Sequence, residues 1–345
     1  MGLAPQLDPR TFRGITLLAV QIRKPGPIET HAIEEVPDLV AGPGQILVDV
    51  KAAAVNYPDL LVMTGRYQTI PPLPFAPGKD GAGVVRSVGE GVKRVKPGDR
   101  VLLHMEYGTF ATQALAREDQ CLPLPADMAF IDAVALGLAA QTAWFALLER
   151  GAFEPGDRVL VTGASGAVGQ AAVQIASALG GLVLAAASNV ERARGLLDES
   201  NCSFVDLSAP NMRDSLREQV HAATGGQGVD VVIETLGGDA FDASLRAMAW
   251  CGRIVTVGFA SGRIPEIKAG HLLVKNIAAL GLQWTDYRDR QPERVARAHA
   301  ALASLWERGA LRPRIMKTLP LSEFAEAFRL IDARQANGRL ILTMD

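Results

Sequence analysis

At ~150 residues per domain, a chain of 345 residues implies about two domains. With 48% hydrophobic and 21% charged residues it can bury sizeable cores and is too apolar for a disordered or fibrous chain. Its 35 basic and 37 acidic side chains leave a net charge of −2, which argues against a broad basic surface for nucleic acid.

Met1 to Arg13 carries no apolar stretch behind basic residues, so no secretory signal is expected. From Phe12 to about Leu124 the text is strand and turn. Ile46, Val48 and Val50 alternate with Leu47, Asp49 and Lys51, as in a half-buried strand. Val84-Val85 and Val101-Leu102-Leu103 are further short apolar runs, and Pro71, Pro72, Pro74 and Pro77 stiffen a connection that cannot be helical. These features predict an antiparallel, partly barrel-like domain. Ile131 to Arg150 has helical spacing, with Gly151 as its stop. Strands then alternate with helices: Val159–Val161, Leu182–Ala185, Val229–Ile233 and Ile254–Val257, the pattern of βαβ units on a parallel sheet. Helices are predicted at Pro292–Arg308 and Ser322–Arg334, and a last strand at Arg339–Thr343 that returns to the first domain. The expected division is 1–135, 136–284 and 285–345, with the middle segment inserted between two parts of the first domain. Lys96-Pro-Gly-Asp-Arg-Val and Glu154-Pro-Gly-Asp-Arg-Val are nearly the same text, a recurrent turn that starts a strand. No apolar run reaches the ~18 residues of a membrane span; even Val159–Leu184 is interrupted by Gly, Ser and Gln.

Val159-Leu-Val-Thr-Gly-Ala-Ser-Gly-Ala-Val-Gly-Gln runs strand, turn, helix. Gly166 would let backbone approach a pyrophosphate and Gly169 would let the helix lie close on the strand, with Ala164 where the dinucleotide fingerprint has its first glycine. The following helix is expected to bury Val168, Ala172, Ile175 and Leu179 and to turn its amides toward phosphates. The next strand ends in Ser188-Asn189 with no carboxylate for a ribose diol, and Arg192 follows, with Arg194 close behind. That combination favours the 2′-phosphate of NADPH over NAD. The five histidines are scattered, no Cys-x-x-Cys exists, and no metal is expected. Three cysteines far apart in the chain argue against a disulfide framework and fit a reducing cytoplasm.

Several longer stretches carry a family resemblance. They are Val55-Asn-Tyr-Pro-Asp59, Thr64-Gly-Arg-Tyr67, Leu73-Pro-Phe-Ala-Pro-Gly-Lys-Asp-Gly-Ala-Gly83, Val88–Val101, Gly163-Ala-Ser-Gly-Ala-Val-Gly-Gln170 and Val257-Gly-Phe-Ala-Ser-Gly262. On these, the chain from about residue 14 to its end resembles the zinc-free quinone-oxidoreductase branch, the zeta-crystallin-like enzymes, of the medium-chain dehydrogenase/reductase superfamily. In the zinc-dependent alcohol dehydrogenases of that superfamily a cysteine stands at or very near Asn56, and Gly-His-Glu replaces Gly78-Lys79-Asp80. The resemblance implies an α/β fold: a GroES-like, partly barrel-shaped catalytic domain and a Rossmann doubly wound sheet. It also implies a homodimer using NADPH. Asn56, Asp59 and Tyr67 would line the nicotinamide and substrate cleft, with Tyr67 as donor to a developing oxyanion and Asn56 next in line. Thr142 would sit near the nicotinamide or pyrophosphate, and Ser165, Gly166, Ala167 and Val168 would hold the pyrophosphate. Arg192 and Arg334 match basic positions for the 2′-phosphate, while Leu207 replaces the Tyr or His that many relatives set there. Phe259, Leu282 and Trp284 fall on segments flanking the nicotinamide ribose. The implied activity is metal-independent hydride transfer from NADPH to a quinone. The alternatives are reduction of an enone or an enoyl or acryloyl thioester, or a non-catalytic NADPH-binding role, which the intact Asn56–Asp59–Tyr67 set speaks against.

Overall fold

In the computed structural model, residues 16–344 are described. Met1–Arg13, read above for a signal, lies outside them. Seven strands come first: β1 (Thr16–Gln21), β2 (Ala32–Pro37), β3 (Gln45–Ala54), β4 (Asp80–Val88), β5 (Arg100–His104), β6 (Gln113–Arg117) and β7 (Cys121–Pro123). Six more alternate with helices: β8 (Arg158–Thr162), β9 (Leu182–Ala187), β10 (Ser203–Asp206), β11 (Val229–Glu234), β12 (Met248–Thr256) and β13 (Ala278–Gly281). β14 (Ile315–Pro320) and β15 (Arg339–Thr343) close the chain. Among the described residues they form two units, one of 16–137, 317–336 and 340–344, the other of 138–316 and 337–339.

In the first unit the strand order is β14-β15-β3-β4-β5-β7, with β6 also paired to β3, and β1 and β2 form a separate ribbon. β3 is the hub, antiparallel to β4, β6 and β15. It buries Leu47 as well as Ile46 and Val48, so both of its faces are covered there and the expected alternation begins only at Val48. One continuous core joins Ile46 and Leu103 from this sheet and Phe110 from the β5–β6 connection to Phe324, Phe328 and Leu342 from the chain's last segment.

The second unit is a parallel sheet in the order β10-β9-β8-β11-β12-β13, so the strand order reverses between β8 and β11. That switch point is where doubly wound sheets take ligands. Helix Ala167–Ala178 buries Gly169, Ala172, Val173, Ile175 and Ala176, a wider face than expected. Val168 in its first turn and Leu179 at its C-cap are only half-buried, because the chain is entering or leaving the helix there. The division also differs from expectation at its second boundary, since 285–316 belong to the Rossmann unit. Gln141 donates to the Val295 carbonyl (3.3 Å), Arg294 pairs with Glu149 (2.6 Å), and the Phe145 and Tyr287 rings lie 4.7 Å apart, so the helices Trp284–Arg290 and Pro292–Glu307 are tied to this unit.

Phe130–Trp144 is interrupted at Gly137 (φ 21°, ψ −128°) and continues as a π-helical turn to Arg150. Contrary to the run-length reading, Phe130–Arg150 has 21 residues of mean hydropathy 1.6, long and apolar enough to cross a membrane by length and composition; 67% of it is buried inside the protein, as in a core helix. Gly151 is its C-cap, and only glycine fits there: a Cβ would lie 2.7 Å from the Leu147 carbonyl oxygen.

Candidate active site

In the second unit the turn after β8 is built from backbone. Gly163 (φ 63°) makes the tight turn, one residue before the position expected of the first fingerprint glycine, and Ala164 is buried behind it. Gly166 is the N-cap of helix Ala167–Ala178. A Cβ on Gly169 would stand 2.3 Å from the Gly163 oxygen and 2.7 Å from Ala164 Cα, so only glycine lets helix and turn meet. Gln170 Nε2 donates to the Ser165 carbonyl (2.8 Å) and Ala164 N to the Ala186 carbonyl (3.0 Å), fixing the turn against the next strand. The helix's first amides have no intrahelical acceptor and bear the positive end of its dipole. Ser165, Gly166, Ala167, Val168 and Gly169 are therefore gathered into an arrangement that fits a pyrophosphate.

Two residues that sequence reading missed brace this cradle. Glu234, at the end of β11, is buried and accepts from Thr162 Oγ1 (2.9 Å), Leu236 N (2.9 Å) and Gly237 N (2.8 Å). Thr235 closes the circuit, donating from N to Thr162 Oγ1 (3.1 Å) and from Oγ1 to the Thr162 carbonyl (2.9 Å). Burial raises the Glu234 carboxyl above its ordinary value, against the pull of the Gly237, Leu236 and Thr162 donors. Nothing local announces this pair; it appears only when β8 and β11 lie side by side.

At the tip of β9, Ser188 is exposed, and Asn189 caps the short helix Val190–Arg194 by accepting from Arg192 N (2.8 Å). Arg194 is engaged with Glu199 (3.1 Å) and lies over the Phe204 ring, and Arg192 is half-buried. Leu207 is buried in the unit's core and its N–H donates to the Ala187 carbonyl. Phe259 and Leu282 line a cavity of about 620 Å³ with Thr256, Val257, Arg150 and Tyr287; Trp284 is buried and does not line it. Thr142 is half-buried on the helix before the π-helical turn.

The first unit gathers Asn56, Asp59 and Tyr67. Asn56 is the N-cap of helix Tyr57–Met63, Pro58 lies in its first turn, and Asp59 Oδ2 accepts from Asn56 N (2.9 Å), a reciprocal start that the local text encodes. Gly65 (φ 75°) turns the chain back, and Tyr67 N donates to the Leu61 carbonyl. Four further side chains complete a polar cluster. Lys79, only 3% exposed, donates to Glu106 Oε1 and places Nζ 4.9 Å from the Tyr67 ring centroid. Asp80 and His104 face each other across β4 and β5, with Nδ1 and Oδ1 2.9 Å apart, and Asn56 Nδ2 donates to Asp80 Oδ2 (3.3 Å). Gly78 and Gly81 flank Lys79-Asp80 because a Cβ on either would run into Thr109. Asp59, 1% exposed, has its carboxyl pushed up to about 7 by burial, while the Lys79 charge and the Asn56 hydrogen bonds pull it down and Asp80 raises it. Of the predicted site residues, Arg334 lies in this unit, after helix Phe324–Asp332 and in the left-handed region (φ 56°), whereas Arg192 lies in the other.

A family model for the alcohol dehydrogenase GroES-like domain matches residues 42–144, and one for zinc-binding dehydrogenases matches 207–342. Quinone oxidoreductase-like protein 2 of Rattus norvegicus is 34% identical over 90% of this chain and 88% of its own length. A highly reducing polyketide synthase of Emericella nidulans is 30% identical over 95% of this chain, which spans 13% of that much longer protein. Among solved structures, a mycobacterial protein complexed with NADPH superposes with a TM-score of 0.86 at 26% identity, covering 95% of this chain and all of the other. A GroES-like unit with a Rossmann unit is the architecture of an oxidoreductase that takes a nicotinamide cofactor. The chain belongs to the medium-chain dehydrogenase/reductase superfamily, in its zinc-free, quinone-oxidoreductase-like branch.

Proposed function

We propose that the protein is a metal-independent NADPH:quinone oxidoreductase of the cytoplasm, acting as a homodimer. One observation carries the reading: the charged side chains of the first unit's polar cluster pair with one another, Lys79 with Glu106 and Asp80 with His104. Among the described residues no group of three or more His, Cys, Asp or Glu is arranged to hold a metal ion. An acceptor reduced there must carry its own electron sink, and a quinone does, because added hydride places the charge on a conjugated oxygen. When bound, the nicotinamide supplies the hydride. Ser165 to Gly169 would hold its pyrophosphate and Arg192 its 2′-phosphate. Tyr67 would donate to the developing oxyanion, Asn56 would orient it, and Asp59 would hold the Asn56 backbone in place.

The likeness to a highly reducing polyketide synthase favours a second reading, reduction of an activated carbon–carbon double bond. The same donor would serve, since charge again collects on a conjugated oxygen. For the dimer, the support is exposed apolar side chains on the second unit: Trp250 on β12 and Leu273 and Val274 on helix Ala269–Lys275 are 76%, 79% and 81% exposed. For the cytoplasm, it is three free cysteine thiols.

The test is NADPH oxidation by the purified protein with 1,4-benzoquinone, small enones and acryloyl-CoA side by side, with and without EDTA. Preference for benzoquinone, unchanged by EDTA, is expected. Preference for acryloyl-CoA would favour the second reading, and stoichiometric zinc with activity lost to the chelator would overturn the metal-independent one.

A further inference from the structure

Lys79 is a buried cation whose surroundings are specific. Its Nζ donates to the Glu106 carboxylate and to the Glu106 carbonyl (3.3 Å) and lies over the face of Tyr67. Asp59 from helix Tyr57–Met63, Asp80 from β4 with its partner His104 from β5, and Glu106 from the segment after β5 are the other charged or titratable groups of the cluster. Lys79 thus meets one carboxylate, Glu106, directly and acts on Asp59 through its charge. A phenol ionises more readily beside an ammonium, because the positive charge offsets that of the phenolate.

We propose that Lys79 is a positioning residue for proton donation: clamped by Glu106 over the Tyr67 ring, it is the positive charge against which Tyr67 releases its proton to the reduced acceptor. This rests on the reading of Tyr67 as the donor. In the step, hydride adds to the acceptor and leaves an oxyanion. The Tyr67 O–H bond breaks, the proton bonds to that oxygen, and the phenolate left facing Lys79 regains a proton from water. Glu106 serves by fixing the ammonium, which on its flexible stem would otherwise turn away from the ring.

The ionisation of Tyr67 can be read without turnover. The chain has four tyrosines, so ultraviolet titration of the wild type minus that of Tyr67→Phe isolates this one phenol. Lys79→Met should move its ionisation up by about one pH unit or more, and Glu106→Gln, which leaves the lysine charge less offset, should move it down. Lys79→Arg should restore most of the turnover lost in Lys79→Met. In a double-mutant cycle, Lys79→Met should cost at least tenfold in turnover when Tyr67 is present and little when it is already phenylalanine. Ionisation of Tyr67 at the same pH in the wild type, Lys79→Met and Glu106→Gln would overturn the proposal even if the lysine variant were unstable, because Glu106→Gln keeps the ammonium and a hydrogen-bonding partner. Equal losses from Lys79→Met with and without Tyr67 would also overturn it. If Tyr67→Phe alone leaves turnover intact while the titrations shift as expected, the electrostatic pairing stands and the donor reading of Tyr67 falls.

Discussion

Glu234 and Asp59 are both carboxylic acids with almost no contact with solvent, one in each unit, and they are held by different means. Around Glu234 the donors are neutral and most belong to the backbone: two amides from the following turn and one threonine hydroxyl. Around Asp59 the Asn56 backbone supplies one hydrogen bond and charged side chains add to it, with Lys79 and Asp80 pulling its proton affinity in opposite directions. An acid braced by backbone fixes the path of the chain, which suits a cradle that must meet a ligand's phosphates with its amides already in place. An acid set among charges, with its carboxyl at about 7, can gain or lose a proton near neutrality. If this contrast is right, the first unit should respond to loss of a functional group and the second to gain of a methyl group.

The largest effect is expected from Tyr67→Phe. It leaves the ring on its core neighbours and removes only the hydroxyl, so turnover should fall ~10²–10³-fold, the usual cost of a lost oxyanion donor, with coenzyme binding nearly unchanged. Turnover within a factor of two of wild type would make Tyr67 a packing residue. Next comes Gly169→Ala. Its Cβ would meet backbone atoms, so helix and strand must separate, at a cost of about 1–3 kcal/mol in stability and a weakened coenzyme site. Gly166→Ala is the sharper companion. There φ is −78° and the nearest atom to a Cβ is the Gly163 oxygen at 3.2 Å, so the fold should hold while coenzyme affinity drops. If both variants lose stability equally and bind coenzyme equally, glycine at 166 serves the turn and not the ligand.

The same contrast explains what could be read from sequence. The cradle is local: strand, glycines and helix follow one another within a dozen residues, and each glycine's reason lies nearby. The two Pro-Gly-Asp-Arg turns are just as local. Gly98 and Gly156 adopt φ of 93° and 95°, and Asp99 and Asp157 accept from Lys96 N (2.9 Å) and Glu154 N (3.1 Å), so like text folds alike in both units. The charged cluster is assembled by register. Asp80 meets His104 only because β4 pairs with β5, and no spacing along the chain announces that Lys79 is buried or that Glu106 meets it. Gly137 is a similar case, for the helix breaks where a Cβ would stand 2.9 Å from the Asp80 carboxylate, a neighbour that only the fold supplies.

Asp59 offers a test by pH. Its carboxyl is raised from 3.8 to about 7, so between those values the folded protein keeps a proton that the unfolded chain has released. Folded stability from this group is therefore full at low pH and is lost as pH rises toward neutrality, at about 1.4 kcal/mol per pH unit. Asp230 and Asp206 are lowered in the folded state, so their contributions vanish only as pH falls through the acid range. His221, lowered by burial, acts the opposite way to Asp59 near pH 6.5. The informative quantity is thus the difference in unfolding free energy between wild type and Asp59→Asn, measured by urea titration from pH 4.5 to 8. It should decline steadily to about pH 7 and then level. A flat difference would mean that Asp59 is ionised throughout and that the first unit holds no proton near neutrality.

The smallest effect, and the one that tests the cradle's outer end, concerns coenzyme choice. Ser188-Asn189 at the tip of β9 offers no carboxylate to the ribose 2′-hydroxyl, so NADH lacks that anchor. Asn189 fixes the backbone of Arg192 by accepting from its N–H, while Arg194 is engaged with Glu199, and Arg192 is the residue proposed above for a 2′-phosphate. One charge-assisted hydrogen bond is worth ~1.5–3 kcal/mol before desolvation, and partial exposure pulls the figure toward the lower end through screening. A preference for NADPH of roughly tenfold follows. Arg192→Ala should raise the KM for NADPH about tenfold, leave that for NADH nearly unchanged, and lose its effect at high salt. Asn189→Ala, which frees the backbone but keeps the guanidinium, should give a smaller change in the same direction. The measurement is the ratio of kcat/KM for the two coenzymes in the wild type and both variants. A wild-type ratio near one, or equal losses for both coenzymes, would show that the backbone cradle alone binds the dinucleotide and that no side chain selects it.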